Sequence, residues 1–356
     1  MKEMLGMLTD THLAKGNEEQ VVDIIKQSID NVFEKGLDRL YFLGDWFDSR
    51  KYQSYSTLKA TIQILNYAEE KGICIYAIPG NHDKPNYESE ESYLDVFEKY
   101  PSLILIRDYE CFAHEDSEGR SVGVHMIPFF DEKTTYSRYL EMALDQCGEY
   151  DKNILLTHIA VNGVRNNDGS KMEDVVSPKL ISRSFDLTCI GHYHDYQELE
   201  DGSIVYIGAS HQHNFGEDKR KGVTFIQKDL SLTQERLNTK EFNLIKVDLS
   251  THTEEEVKEI SDKYKDSKDN VRIKFTGTKE ALAAIDKKKY SKLGIGVVKE
   301  ADEVDVDISY ADVVDFKAFN PNTIIEEWGE FAKKKGISDE HAEKGLERLT
   351  RILIKN

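Results

Sequence analysis

Five short runs of Asp, His and Asn constrain this 356-residue chain more than any other feature. They are Asp10-Thr11-His12, Gly44-Asp45-Trp46-Phe47-Asp48, Gly80-Asn81-His82-Asp83, Thr157-His158 and Gly191-His192-Tyr193-His194. Four follow directly on an apolar run that reads as a strand; the third follows its strand after Ile78-Pro79. In an open α/β sheet the carboxyl ends of the strands share one edge, so residues distant in sequence meet there. Loops after strands are also where a rigid scaffold presents functional groups. The fold must therefore turn five strand ends toward one place.

The apolar runs supply such a scaffold. Runs at 5–8, 40–43 and 73–78 alternate with helical stripes at Val21, Val22, Ile25, Ile29 and Phe33 and at Leu58, Ile62 and Leu65, with Gly72 closing the second. This alternation predicts an α/β core. Runs at 122–127, 154–156, 187–190, 204–207 and 223–226 follow with polar turns between, so the second half of the core reads as richer in strands. The pattern changes near Asn238. Strands at 244–249, 271–275 and 304–308 then alternate with helices at 253–264, opened by a Thr253 cap, and at 279–288, which predicts a small α+β domain. Beyond Pro321, Ile324, Ile325, Trp328, Phe331 and Ala332 repeat at helical spacing, and a second stripe holds Ala342, Leu346, Leu349 and Leu353. Two amphipathic helices of this kind either pack on their own domain or grip a partner. The expected units are a core over 1–238, the small domain over 239–318 and a helical tail over 319–356.

Charge and cysteine usage narrow the function classes. Net charge is 47 − 66 = −19. That field argues against a nonspecific nucleic-acid binder, but metal ions and local basic patches can reverse it at an enzyme's site. Cys74, Cys111, Cys147 and Cys189 form no C-x-x-C pair, which speaks against a thiolate zinc site or a redox dithiol. A reduced, cytoplasmic compartment is the expectation. Met1 leads into a strand with no basic-then-apolar leader, and no apolar run approaches the ~18 residues of a membrane helix.

The five motifs offer carboxylates, imidazoles and one amide oxygen. That set suits manganese, iron or zinc, whereas carboxylates alone favour magnesium or calcium. The ligands outnumber what one ion takes, so two ions are expected. A pair roughly 3.5–4 Å apart can activate water and clamp a phosphate. Each motif alone reads equally as a turn or a structural histidine; all five in this order point to a dinuclear site.

The pattern resembles the calcineurin-like metallophosphoesterase superfamily over Asp10–His194. Within it the chain resembles the SbcD-type DNA repair and recombination nucleases, most closely the short endonuclease subunits of T-even-like phages. Trp46-Phe47-Asp48-Ser49-Arg50-Lys51, Gly208-Ala209-Ser210 and Lys221-Gly222-Val223 carry this narrower likeness, together with the small domain and tail. The resemblance implies an α/β sandwich core with an α+β capping domain and a C-terminal helical hairpin. It implies that Asp10, His12 and His194 hold one Mn2+, that Asn81, His158 and His192 hold a second, and that Asp45 bridges them. Mg2+, Fe2+ or Zn2+ are alternatives. His82 would sit at the scissile phosphate, with Asp83 orienting it or serving as a turn residue. Asp48 stands where many cellular members carry a histidine, so the exonuclease step is either handled differently or tuned down.

The resemblance further implies exonuclease action on double-stranded DNA ends and endonuclease action on single strands or hairpins. The partner would be an SbcC-like coiled-coil ATPase held by Trp328, Phe331, Leu346 and Leu349. A homodimer would form through helices near Leu58–Ala68 and Tyr93–Tyr100. Arg50, Lys51, Lys84 and the run Lys287, Lys288, Lys289 read either as solvated surface or as DNA contacts. His211 and His213 read as a polar loop or as residues with a substrate or switch role; His114, His125, His252 and His341 match no motif. Two other functions remain open here: a phosphodiesterase for small molecules or nucleotides, and a noncatalytic scaffold tethering DNA ends.

Overall fold

The computed structural model describes residues 3–131, 135–166, 170–173 and 175–301, together with 328, 342, 344 and 346. The chain divides into two compact units, Met1–Ala301 and Asp302–Asn356. In chain order the first opens with β1 (Glu3–Leu8), α1 (Glu18–Glu34), β2 (Arg39–Leu43), α2 (Tyr55–Lys71), β3 (Cys74–Ile78) and β4 (Leu103–Leu105). It continues with β5 (Glu110–Glu115), β6 (Ser121–Ile127), α3 (Thr135–Gln146), β7 (Lys152–His158), α4 (Pro178–Ser182) and β8 (Leu187–Gly191). The strands β9 (Gln197–Leu199), β10 (Ile204–Tyr206), β11 (Val223–Gln227) and β12 (Leu232–Glu235) complete the core.

Two six-stranded sheets form, in the orders β12-β11-β1-β2-β3-β4 and β5-β6-β7-β8-β10-β9. Alternation along each strand explains how they stack. Leu40 and Phe42 of β2 pack with the apolar stripes of α1 and α2, while Tyr41 and Leu43 face Ile154, Leu156 and Cys189 of the second sheet. Leu155 of β7 and Ile190 of β8 point the other way, against Tyr136, Tyr139 and Leu140 of α3. The result is helices, sheet, sheet, helices. Helix α2 begins where Ser54 accepts from Thr57 N–H and ends, as its sequence predicts, at Gly72, which is left-handed. Burying each large aliphatic side chain contributes roughly 1.5–3 kcal/mol, so three continuous apolar layers hold the strand ends rigidly.

Strands β1, β2 and β3 are mutually parallel, as are β6, β7, β8 and β10. Their carboxyl ends carry the five motifs. Tyr93–Phe97, expected as a helix available for dimer contacts, is a 3-10 turn opened by a Ser92–Asp95 capping box.

A third sheet, all parallel, joins β13 (Phe242–Asp248), β14 (Asn270–Gly277) and β15 (Ile295–Ala301). Helix α5 (Glu254–Tyr264) starts at the expected Thr253, which forms a capping box with Glu256. The helix expected over 279–288 is instead two, α6 (Lys279–Ala284) and α7 (Lys287–Ser291). Ile285 turns extended and the Asp286 side chain accepts from Lys288 N–H, restarting the helix. Val247, Val257, Ile273, Phe275, Leu282 and Tyr290 form this sheet's own core. Its third strand, 295–301, was not singled out by the sequence pattern, and the strand expected at 304–308 lies outside the described residues. In the second unit, Trp328, Ala342 and Leu346 are helical, and Trp328 Nε1 donates to the Ala342 carbonyl at 2.9 Å. Phe331 and Leu349 lie outside the described residues. Among the described residues no helix is long and apolar enough to cross a membrane.

Candidate metal centre

The backbone lashes the first two motif loops together. Asp10 N–H donates to the Gly44 carbonyl at 3.0 Å, Thr11 and His12 N–H to the Asp45 carbonyl, and Leu13 N–H to the Trp46 carbonyl. Asp10, His12, Asp45 and His192 all adopt positive φ, at 51°, 44°, 56° and 88°. Such conformations cost about 1–3 kcal/mol each in a non-glycine residue and cluster at functional sites. The motif glycines serve close approach: a Cβ on Gly80 would lie 2.2 Å from Asp45 Oδ1, and one on Gly191 would lie 2.3 Å from Thr9 Oγ1.

The side chains of the five motifs then converge. His12 Nε2 lies 3.1 Å from His194 Nε2, 3.6 Å from Asp45 Oδ2 and 3.8 Å from Asp10 Oδ1. His158 Nε2 lies 3.4 Å from Asp45 Oδ1 and 3.1 Å from Asn81 Oδ1, and His192 Nδ1 lies 2.9 Å from the same amide oxygen. Asp45 thus stands between two groups of donors. Asp10 Oδ2 accepts from Thr9 Oγ1 at 2.8 Å and from His192 N–H at 3.0 Å.

The donor chemistry fits cations. His158 Nδ1 donates to the Leu43 carbonyl at 2.7 Å, which turns Nε2 toward Asp45 and Asn81. His194 Nδ1 sits 2.9 Å from Glu217 Oε1 and donates there, which turns Nε2 toward His12 Nε2. Two ring nitrogens at that spacing share either a proton or a metal ion. His12 Nδ1 is buried without a hydrogen-bond partner, 3.6 Å from Asp48 Oδ1. Burial opposes charge on His158, yet Asp45 raises its pKa to about 9. Asp45 itself is held well below the carboxylate range, because His158 and His12 overcome the burial that would raise it. Burial, seconded by His158, pushes His192 down to about 3. The carboxylate charge here can hold a proton on a buried imidazole, and a divalent cation meets the same demand.

A family model for calcineurin-like phosphoesterases matches residues 5–196, which spans all five motifs. The chain belongs to the calcineurin-like phosphoesterase family. Phosphoesterases of this family bind dinuclear metals, and the residue groups Asp10–His12–Asp45 and Asp45–His158–His192 each bring ligand atoms within 4.8 Å of one another. Among curated relatives, the chain is 24% identical over 207 residues to exonuclease subunit 1 of Enterobacteria phage T4, covering 58% of this chain and 56% of that protein. It is 23% identical over 239 residues to the DNA double-strand break repair protein Mre11 of Methanocaldococcus jannaschii, covering 64% and 63%. The chain therefore spans between about half and two thirds of the length of these relatives. A crystal structure of a dimetal phosphatase from Danio rerio aligns over 57% of this chain and 86% of that one, at 9% identity and a TM-score of 0.38.

Around the centre of this phosphoesterase, several sequence expectations need correction. Asp83 does not touch the His82 ring. Its carboxylate accepts from Trp46 N–H at 3.1 Å, Phe47 N–H at 2.9 Å and Gly80 N–H at 2.9 Å, strapping the third motif to the second. Burial and nearby Asp45 push Asp83 up to about 7, against those three donors. His82 is oriented instead by the backbone: Nδ1 donates to the Asp48 carbonyl at 2.5 Å, and Nε2 accepts from Arg50 Nη2 at 2.9 Å. Arg50 also reaches Tyr87 Oη at 2.5 Å. Lys84 is no surface contact. It is buried, donates to the Phe129 carbonyl at 2.9 Å and lies 3.4 Å from the centre of the Phe130 ring. Lys51 is exposed beside the second motif, and Lys287, Lys288 and Lys289 are exposed on α7.

Sequence reasoning missed two residues. Glu217 supports His194, and it does so from a loop that carries no motif. His213, left between two readings, lies edge-on to His12 and tilted against His194, with ring centres 4.9 and 4.6 Å away. The unassigned His125 is structural, bonded to Tyr109 Oη at 2.8 Å and Asn153 Oδ1 at 2.9 Å.

Proposed function

We propose that this chain is the nuclease subunit of a DNA-processing assembly, hydrolysing phosphodiester bonds at double-stranded ends and in single strands or hairpins. The observation that carries this reading is the pairing of donor sets around Asp45, in a phosphoesterase whose curated relatives are named as an exonuclease subunit and a DNA break repair protein. In this reading Asp10, His12 and His194 would hold one divalent ion and Asn81, His158 and His192 the other, with Asp45 common to both sets; Mn2+ is the proposed metal. Bound there, the pair supplies Lewis acidity to the phosphate and lowers the pKa of water.

The chain's own residues do the rest. His82 lies at the rim of the centre, with its ring 4.7 Å from that of His12. The Asp48 carbonyl fixes its proton on Nδ1, so Nε2, to which Arg50 donates here, is the atom that would hold a proton for a leaving oxygen once Arg50 turns to the phosphate. Arg50, always cationic, is placed to take a phosphate oxygen beside His82. Asp48 contributes its carbonyl to this arrangement, while its carboxylate leans toward His12. The partner is proposed to be an SbcC-like coiled-coil ATPase gripping the tail at Trp328, Phe331, Leu346 and Leu349. The working assembly is proposed as a homodimer of this chain within a heterotetramer, in the cytoplasm.

The test is digestion of an end-labelled linear duplex with and without Mn2+. Wild-type protein is expected to shorten the duplex only with the metal, and His82→Ala and Asp10→Ala to lose that activity by at least ~100-fold. Hydrolysis of bis-p-nitrophenyl phosphate with intact DNA, even when the ATPase is added, would replace the nuclease by a small-molecule phosphodiesterase.

A further inference from the structure

The loop after β10 brings a histidine to the centre that the seven-residue ligand set does not use. His213 N–H donates to Glu217 Oε2 at 3.0 Å, and the other carboxylate oxygen of Glu217 takes His194 Nδ1. One acidic side chain, itself buried and flanked by Lys221, therefore holds both the His194 ring and the main chain of His213. The His213 ring completes a close group: one ring nitrogen from each of His12, His194 and His213 lies within 4.8 Å of the others.

The hydrogen bonding of His213 has the form expected of a metal ligand. Its Nε2 lies 2.9 Å from the Asp10 carbonyl oxygen, and a carbonyl has no proton to give, so Nε2–H is the donor. Metal-binding histidines almost always donate their second ring N–H to a carbonyl or carboxylate, which fixes the tautomer and raises the basicity of the other nitrogen. His158 does this with the Leu43 carbonyl and His194 with Glu217; His213 does it with the backbone of Asp10 itself. A merely structural loop histidine has no reason to be tied to a candidate ligand's backbone and to share the carboxylate that orients another.

We propose that His213 is an additional ligand to the ion held by Asp10, His12 and His194, and that it makes this position selective for imidazole-preferring metals. The inference rests on the dinuclear reading given above. With three imidazoles beside the carboxylates of Asp10 and Asp45, the first position is richer in nitrogen than the second, which has two imidazoles and an amide oxygen. Imidazole suits zinc, iron, cobalt and nickel, whereas oxygen ligands suit magnesium and manganese. The two positions of one centre therefore differ in preference: both take Mn2+ when it is the metal supplied, and the His213 side binds a zinc-class ion more tightly than the other side does.

The experiment is metal titration of the full-length apo-protein, followed by calorimetry with Zn2+ and Mn2+ and by the visible d–d absorption of Co2+. Wild-type protein is expected to bind two ions. His213→Ala and His213→Asn are expected to weaken Zn2+ binding at one of the two positions by on the order of 10–100-fold, to alter the cobalt spectrum, and to leave Mn2+ binding within about 3-fold. His211→Ala, which removes the neighbouring ring 4.3 Å away, is expected to leave the cobalt spectrum unchanged. Wild-type zinc affinity and an unchanged cobalt spectrum in both His213 variants, with thermal midpoints showing them folded, would overturn the proposal and leave the dinuclear reading intact. Equal weakening for Zn2+ and Mn2+ would overturn the selectivity. Fewer than two ions in the wild type would overturn the dinuclear reading itself.

Discussion

Lys84 sits one residue past a motif, where its charge reads as a surface contact, and the fold buries it completely. Burial pushes its ammonium group down to about 7 from the usual 10.5, with Glu90 and Asp95 opposing. The unfolded chain then binds more protons than the folded chain between about pH 7 and 10.5, so this group makes stability rise with pH through that window. Below about pH 7 the penalty is full and constant. Lys84→Met is expected to remove the slope, which urea midpoints of both proteins between pH 7 and 10 would show; parallel curves would refute it. The residue scale is where the sequence was most and least readable. Asp10, His12, Asp45, Asn81, His158, His192 and His194 could be singled out because they cluster in short motifs just after strands, and the structure brings them together. Glu217 was not singled out, and Lys84 and His213 were left between two readings, because nothing local distinguishes a buried lysine or a loop carboxylate from a solvated one.

Each element-level feature of the centre is a loop held by another loop. Asp83 shows this most directly, since one carboxylate accepts three backbone N–H groups from two motifs. Removing it strands those buried donors, at roughly 1–3 kcal/mol for each left unpaired. Asp83→Ala is expected to lose at least ~2 kcal/mol of stability and ~10–100-fold in activity, by chemical denaturation and duplex digestion. Asp83→Asn should lose less, because its amide keeps one acceptor oxygen but turns an N–H toward the remaining donors. A wild-type denaturation midpoint in Asp83→Ala would dismiss the strap. The apolar core strands and α1, α2 and α5 were legible from periodicity and caps, whereas the more polar β5 and β15 were not. The short edge strands β4, β9 and β12 were not, having too few residues to show a period, and the break at Ile285 was hidden by the run of helix-favouring residues around it.

For the whole molecule, the net charge of −19 limits how DNA can be approached. Lys287, Lys288 and Lys289 on α7 and Arg50 and Lys51 near His82 are exposed cations on this acidic chain, and under the proposed nuclease function they are the residues expected to meet DNA phosphate, with a partner expected to supply further affinity. Deleting residues 321–356 is expected to abolish co-purification with the ATPase while the shortened protein still binds two metal ions; undiminished co-purification would reject the tail as the docking element. A different consequence follows from the loop that carries His213 and Glu217. Gln212 Oε1 accepts from Phe242 N–H at 3.0 Å at the start of β13, Gln212 Nε2 donates to the Glu217 carbonyl, and Phe215 packs edge-on against Phe242. Arg272 of β14 lies over the Phe215 ring. A chain cut at residue 238 would retain every candidate ligand yet lose the clamp on the loop that aims two of its histidines. In evolutionary terms the small sheet is not a detachable accessory: exchanging it for another module requires rebuilding residues 212–217 at the same time.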